Sequence, residues 1–365
     1  MIKESSRITQ GQLFFYMIQA QVGIGIMSLP HDVHAVAKGG AWISILIGGV
    51  VVQLAILVMW ALCKRFPNLT MFEYLPKIFG KWIGGFFNFA YIIFFILMAT
   101  LVLVLFESLI NKWVFPLTPR WAVLALIVMT SVYLVIESLR TITRFYVFVS
   151  VLIVLIVLIA LNAFTIADFT YMFPITEAGW GKIFLGSNKV IVSLLGFEML
   201  LVVYPFVEGK ADGKLKAASA GNAFTTLLYS FLVFIALIVF SPMEMAMIPE
   251  PIPYMLKAFS FRVVERLDLL FLSIWTVIVA TSYMNYLFLA ANGFGHYFHR
   301  GNHRTAVYYT AIISYILALI PQSPDGIEFL TQIVSWASYA FVYGLPVLFL
   351  LISLVFRKRE KGKTA

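Results

Sequence analysis

Glu198 is the one carboxylate well inside an apolar segment of this 365-residue chain, in the stretch "LLGFEMLLVVYPFV". A charge at that depth is expensive and is functional by default. Three roles are open to it: binding a ligand ammonium, carrying a proton, or capping backbone amides that a helix has released. Gly196 and Phe197 stand directly before it. A second stretch, "QVGIGIMSLP", puts Gly23, Ile24, Gly25 and Ile26 in the middle of the first apolar segment, with Pro30 shortly after. Glycine permits close approach and unusual dihedrals, and proline removes a helical donor. Both stretches read as breaks in otherwise apolar helices. The N-terminal end of a half-helix is partly positive and the C-terminal end partly negative. Two facing breaks would hold a carboxylate and an ammonium, and the obvious small zwitterion is an α-amino acid. The competing reading makes Gly23 and Gly25 packing notches, as Gly48 and Gly49 are expected to be in the second segment.

Other polar residues fall at helical spacing. Gln12, Tyr16, Gln19 and Gly23 recur at intervals of 4, 3 and 4, a single stripe turned away from lipid. Thr281, Asn285 and Asn292 share one face of the eighth segment, with Ser282 and Tyr286 as a second i, i+4 pair beside them. Such a stripe serves a site or simply glues helices together. The third segment carries Asn88, Tyr91 and Thr100, and its apolar residues near Leu97 are candidates for a pocket wall. His296, His299 and His303 are spaced by 3 and 4, but their turn holds two glycines and two arginines, so they read as solvated interfacial residues rather than a metal site. The single cysteine, Cys63, excludes an internal disulfide and a cysteine-based metal cluster. There is no phosphate-binding glycine loop and no nucleophile–base constellation. No cofactor and no enzymatic activity are expected.

The elements that must position these residues follow from composition. The chain is 62% hydrophobic and 12% charged, far from a soluble domain's half and quarter. A spanning helix needs roughly 20 mostly apolar residues. Ten such segments are present, at about 10–31, 40–63, 82–110, 121–138, 145–164, 188–207, 217–241, 267–292, 305–321 and 333–356. With the N-terminus inside, 18 of the 26 Lys and Arg fall on the cytoplasmic side, so both termini are expected there. The +9 net charge is accounted for by this topology and by anionic headgroups, with no nucleic acid implied. The first apolar run is too long, and lacks the cleavage site, for a signal peptide. Residues 1–365 are expected to form a single transmembrane domain ending in a basic tail, 357–365. The breaks in segments one and six, and interfacial insertions after segments two and seven on opposite sides, predict two inverted five-helix repeats, about 10–164 and 188–356.

"GIGIMSLPHDVHAVAKGGAW" resembles the first-helix motif of permeases of the amino acid–polyamine–organocation (APC) superfamily. The opening "ITQGQLFFYMIQAQVGIGIMSLP", the loop "NLTMFEYLPKIFGKWIGG", the sixth-segment stretch above and the overall length are more similar to the B subunits of bacterial spore germinant receptors, the GerAB-type family. The resemblance implies an all-α polytopic membrane protein of LeuT-like fold, with helices 1 and 6 discontinuous. It implies a germinant-sensing subunit in the inner spore membrane that binds a small amino acid and signals to A and C partner subunits. By position, Gly23, Ile24 and Gly25 would meet the ligand carboxylate through backbone amides. Gly196, Phe197 and Glu198 would lie around its amino group, and Ser282 and Tyr286 would border the side-chain pocket. The other reading is a stand-alone proton- or sodium-coupled amino acid transporter. The fifth segment lacks the lysine that proton-coupled permeases of this fold place there, which favours a binder. Sodium coupling would use helix-one carbonyls with the Thr281 and Ser282 hydroxyls.

Overall fold

Helix starts in this chain are written in its capping residues. Thr9 and Gln12 form a reciprocal capping box (Thr9 N–H to Gln12 Oε1 2.9 Å, Gln12 N–H to Thr9 Oγ1 3.2 Å) that opens α1, Gln10–Gln21. Thr70 and Glu73 do the same for the short interfacial helix α4, and Ser241 and Glu244 for α11. The Ser241 hydroxyl and amide hold the Glu244 carboxyl below the usual carboxylate range. The computed structural model describes residues 6–259, 266–298 and 303–360. Among these, the helices are α1, α2 (Leu29–Ala37), α3 (Ala41–Arg65), α4 (Met71–Phe79), α5 (Lys81–Trp113), α6 (Arg120–Val135), α7 (Leu139–Ala160) and α8 (Trp180–Ser193). The second half continues with α9 (Leu200–Val203), α10 (Ala211–Val239), α11 (Pro242–Met247), α12 (Pro251–Leu256), α13 (Leu267–Phe298), α14 (His303–Ala318), α15 (Pro324–Ser338) and α16 (Leu345–Val355).

All ten apolar segments are helical. The first is α1 and α2 with a break between them, and the sixth is α8 and α9, bent by 52° at theirs. Six continuous helical stretches are long and apolar enough to cross a bilayer, and the bent pair makes a seventh. The fourth and ninth segments are shorter, at 16 residues each in α6 and α14. Two boundaries lie further upstream than hydropathy places them: α8 begins at Trp180 and α15 at Pro324. Both extensions carry glycine and polar or charged residues (Gly181, Lys182 and Ser187 in α8; Asp325, Gly326, Glu328 and Gln332 in α15), which lowers their hydropathy without ending the helix. Insertions follow segments two and seven, as α4 and as the pair α11 and α12.

The surface is apolar where a soluble protein's would be polar. Trp82, Phe86, Leu126, Phe148 and Leu351 are exposed on helix faces, while Gln19, Glu198, Thr281 and Asn285 are fully buried. That inversion is what lipid solvent selects. Inside, α13 packs along α5, and α10 lies against α1 and α3. Gly48 and Gly49 sit against Val190 and Thr226, the notches that close helix packing needs.

Two further features matter for the site. Ahead of α1, Ile8 pairs with the end of the sixth segment through two backbone bonds, Ile8 N–H to Phe206 O and Glu208 N–H to Ile8 O, both 2.9 Å. Between α15 and α16 the backbone opens into a wide π turn, Tyr339–Gly344. Pro346 has no N–H for the carbonyls a turn earlier, and the Tyr91 hydroxyl donates to Phe341 O at 2.7 Å instead.

Candidate functional site

The two breaks are built differently, and each is stitched by side chains from elsewhere. In the first, Val22 is extended, Gly23 leaves the helical region with φ −145° and ψ −140°, Ile24–Ile26 make one tight 3-10 turn, and α2 restarts at Leu29 with Pro30 in its first turn. The Tyr229 hydroxyl of α10 accepts the Gly23 N–H at 3.2 Å and donates to Gln21 O at 3.1 Å. Ser282 on α13 donates toward Val22 O (3.0 Å) and Gln19 O (3.3 Å). Backbone groups freed at membrane depth must find partners of this kind. Tyr229→Phe removes both bonds of one hydroxyl. It is expected to cost about 2 kcal/mol, read as a lower unfolding midpoint of the detergent-solubilised chain.

The second break turns on Gly196, whose φ of 122° and ψ of −27° lie where L side chains rarely go. The Gly196 N–H donates to Glu198 Oε2 at 2.7 Å, and the Tyr286 hydroxyl donates to Glu198 Oε1 at 2.9 Å. Of the roles open to Glu198, the structure displays amide capping. Both oxygens are engaged and the side chain is fully buried. The breaks also touch each other. Gln21 Nε2 donates to Leu194 O (3.0 Å), the last turn of α8, and to Asn222 Oδ1 (3.2 Å). A Cβ on Gly196 would lie 2.2 Å from Ala20 O, and one on Gly25 would lie 2.8 Å from Ser193 Cβ. Gly25 is therefore a packing contact with α8 as well as part of the break.

Between the breaks lies a cavity of about 350 Å³. Gly23, Ile24 and Gly25 form one side, Ser282 and Tyr286 another, and Val192, Ser193 and Leu195 the end of α8. The third segment contributes Met98, Leu101, Val102 and Leu105, and the tenth contributes Thr331, Ser335 and Tyr339. Ala20, Gln21, Ser28, Asp32, Asn188 and Lys189 complete it. The amide hydrogens of Ile24 and Gly25 open a helical turn, positions left without an intrahelical acceptor.

Not every candidate residue meets here. Ile26, the last residue of the turn, is buried and is not part of the lining, and Gly196, Phe197 and Glu198 are buried outside the lining too. Glu198 reaches the cavity only through Tyr286. Leu97 lines a separate apolar cavity with Phe89, Ile93 and Phe298, while its neighbour Met98 faces the central one. Asn88 is engaged by Phe72 O and the Tyr297 hydroxyl, so it ties helices together. Asn292 bonds within its own helix, to Phe288 O. Thr281 lies between Ile278 O (2.6 Å) and Gln19 Oε1 (2.7 Å), and Gln19 Nε2 continues to Ser150 on α7 at 3.0 Å. His303, expected in solvent, is half-buried with Nε2 3.1 Å from Glu137 O and its ring against Phe288. His299 lies outside the described residues, as do Lys361 and Lys363 of the basic tail.

Sequence reasoning missed Tyr229, Asn222 and Gln21, whose partners are remote in the chain. It also missed Asp32, Lys189 and the tenth-segment face. Thr331, Ser335 and Tyr339 recur every four residues, a stripe that was legible in spacing.

Comparison with known proteins places this geometry. The structure of MhsT in complex with L-phenylalanine matches with a TM-score of 0.73 at 13% identity, over 98% of this chain and 91% of that one. The shared fold is LeuT-like. Spore germination protein GerQB of Bacillus cereus is 26% identical over 273 residues, 75% of each chain. Spore germination protein YndE of Bacillus subtilis (strain 168) is 23% identical over 365 residues, 99% of this chain and all of that one. A family model described as "Spore germination protein" matches residues 7–327. The chain is thus a permease-like integral membrane protein rather than an enzyme, and it belongs to the spore germination protein family, as a GerAB-type germinant receptor B subunit.

Proposed function

We propose that this chain senses a small amino acid germinant in the central cavity and passes the event to A and C partner subunits in the inner spore membrane, with both termini cytoplasmic. The observation that carries the reading is the cavity of about 350 Å³ bounded by both helix breaks, small for a ligand pocket. The germinant carboxylate lies on the amides of Ile24 and Gly25, at the positive start of a helical turn. Its side chain lies against Met98, Leu101 and Val102, with Ser282 and Tyr286 closing the floor. Family membership and the breaks' mutual contact support coupling, because a ligand between them bridges two helix ends at once.

Val102→Phe tests this without touching a break. Spores carrying it are expected to need at least about tenfold more amino acid to germinate, the loss a filled pocket brings, with the subunit at normal abundance. An unchanged dose response at normal abundance would overturn the cavity as the germinant site. A second reading, stand-alone coupled transport, is favoured by the oxygen-rich seam of helix-one carbonyls with the Thr281 and Ser282 hydroxyls, the donor type that suits small hard cations. Gradient-driven uptake into vesicles by the lone chain would favour that reading; its absence would favour the receptor.

A further inference from the structure

A zwitterion's ammonium needs an acceptor, and Glu198 is not free to be it. Its two oxygens hold the Gly196 amide and the Tyr286 hydroxyl, and it is buried outside the cavity lining. Three of the carbonyls at the breaks are also engaged: Val22 O by Ser282, Gln21 O by Tyr229 and Leu194 O by Gln21. Among the cavity-lining residues Asp32 is the one acid and Lys189 the one base.

Asp32 sits in the first turn of α2, one turn beyond Ser28. Side chains on a helix lean toward its N-terminus, and for α2 that direction is the break. The Ser28 hydroxyl is accordingly its neighbour. Lys189 and His31 are near enough to act on Asp32 electrostatically, but among the described residues neither makes an ion pair with it within 4.0 Å. His31 is turned to another element, with Nδ1 2.8 Å from Met245 O. Lys189 is one turn up α8 from Ser193, the residue that a Cβ on Gly25 would meet, and it lines the same cavity as Asp32. The result is a carboxylate on the cavity wall, beside the Ser28 hydroxyl and, among the described residues, with no cation paired to it within 4.0 Å.

We propose that Asp32 accepts the germinant's ammonium, the role that the sequence suggested for Glu198. Asp32 then confers selectivity for α-amino acids over simple carboxylic acids, while Lys189 supplies a positive charge in the same cavity. This assignment rests on the proposed reading of the cavity as an amino acid site.

The test uses the purified full chain in detergent. The twenty proteinogenic amino acids are first screened for thermal stabilisation of the unaltered protein. Any that stabilise it are then compared, by equilibrium binding, with the des-amino acid of the same carbon skeleton. The unaltered chain is expected to prefer the amino acid by at least about tenfold, as a charge-assisted hydrogen bond confers. Asp32→Asn is expected to weaken amino acid binding about tenfold, leave des-amino acid binding unchanged, and so abolish the preference. Asp32→Glu, which keeps the carboxylate, is expected to retain it. Should the asparagine variant fail to fold, Asp32→Ser beside Asp32→Glu gives the same comparison.

Equal weakening of both ligands in the variants, or a preserved preference, overturns the assignment of Asp32 alone. If no amino acid binds the unaltered chain, the cavity reading falls and this assignment falls with it.

Discussion

Gly196→Ala is expected to destabilise the protein by about 4 kcal/mol, combining backbone strain with overpacking. The new Cβ would sit 2.2 Å from Ala20 O and 2.5 Å from Ala20 C, distances that real Cβ atoms essentially never show. The obstacle is backbone, so no rotamer change relieves it. At the same residue a φ of 122° adds conformational strain for any L side chain. The two breaks would have to move apart, releasing the Gln21 bond to Leu194 and disturbing the Glu198 cap together. The measurement is the thermal midpoint and membrane abundance of the variant beside Gly181→Ala. Gly181 is in α8, the helix that leads into the break, with open space around it and no positive φ, so its substitution is expected to be neutral or slightly stabilising. Equal midpoints for the two variants would mean that the helix-one and helix-six backbones do not approach as described.

Glu198→Ala is expected to cost about 3 kcal/mol, since it strands the Gly196 amide and the Tyr286 hydroxyl in a buried site. A residue that only bound an ammonium or carried a proton would behave oppositely: its loss would spare the unliganded fold, or stabilise it by removing a buried charge. The unfolding midpoint without ligand separates these cases. A double-mutant cycle with Tyr286→Phe refines the assignment, because a cap shared with Tyr286 gives a coupling energy of about 1 kcal/mol and independent residues give none. A midpoint at or above that of the unaltered chain would remove Glu198 from the break's scaffolding.

Much of the fold was readable because lipid imposes a one-dimensional signature: ten apolar segments emerge as helices in the expected order. Glycine supplied the next layer. The chain interrupts itself at Gly23–Gly25 and at Gly196, where the backbone does depart from helix. What hydropathy could not supply is rotation about each helix axis. Leu97 and Met98 are adjacent, yet one residue turns a helix by about 100°, and only Met98 faces the central cavity. Equally hidden were contacts that close over great chain distance, such as Tyr229 to Gly23 and Gln21 to Leu194, for which a single sequence has no local marker. The late boundaries for α8 and α15 share one cause: Gly181, Lys182 and Ser187 in the one, and Asp325, Gly326, Glu328 and Gln332 in the other, lower the hydropathy while the helices continue. Asp32 was passed over for the related reason that it lies close to a segment end, where acids are unremarkable.

The clasp at Ile8 has a mechanical consequence. Ile8 precedes α1 by two residues, and Val207 directly follows the last turn of the broken sixth segment, so two peptide–peptide bonds join the outer ends of both discontinuous helices. These half-helices form a single lever with its joints at Gly23 and Gly196. A tilt imposed on one arm reaches the other without passing through any side chain. Ordinary substitutions along 6–9 or 206–208 leave that linkage intact, whereas a proline that removes the Ile8 or Glu208 N–H divides the lever into two independently moving arms.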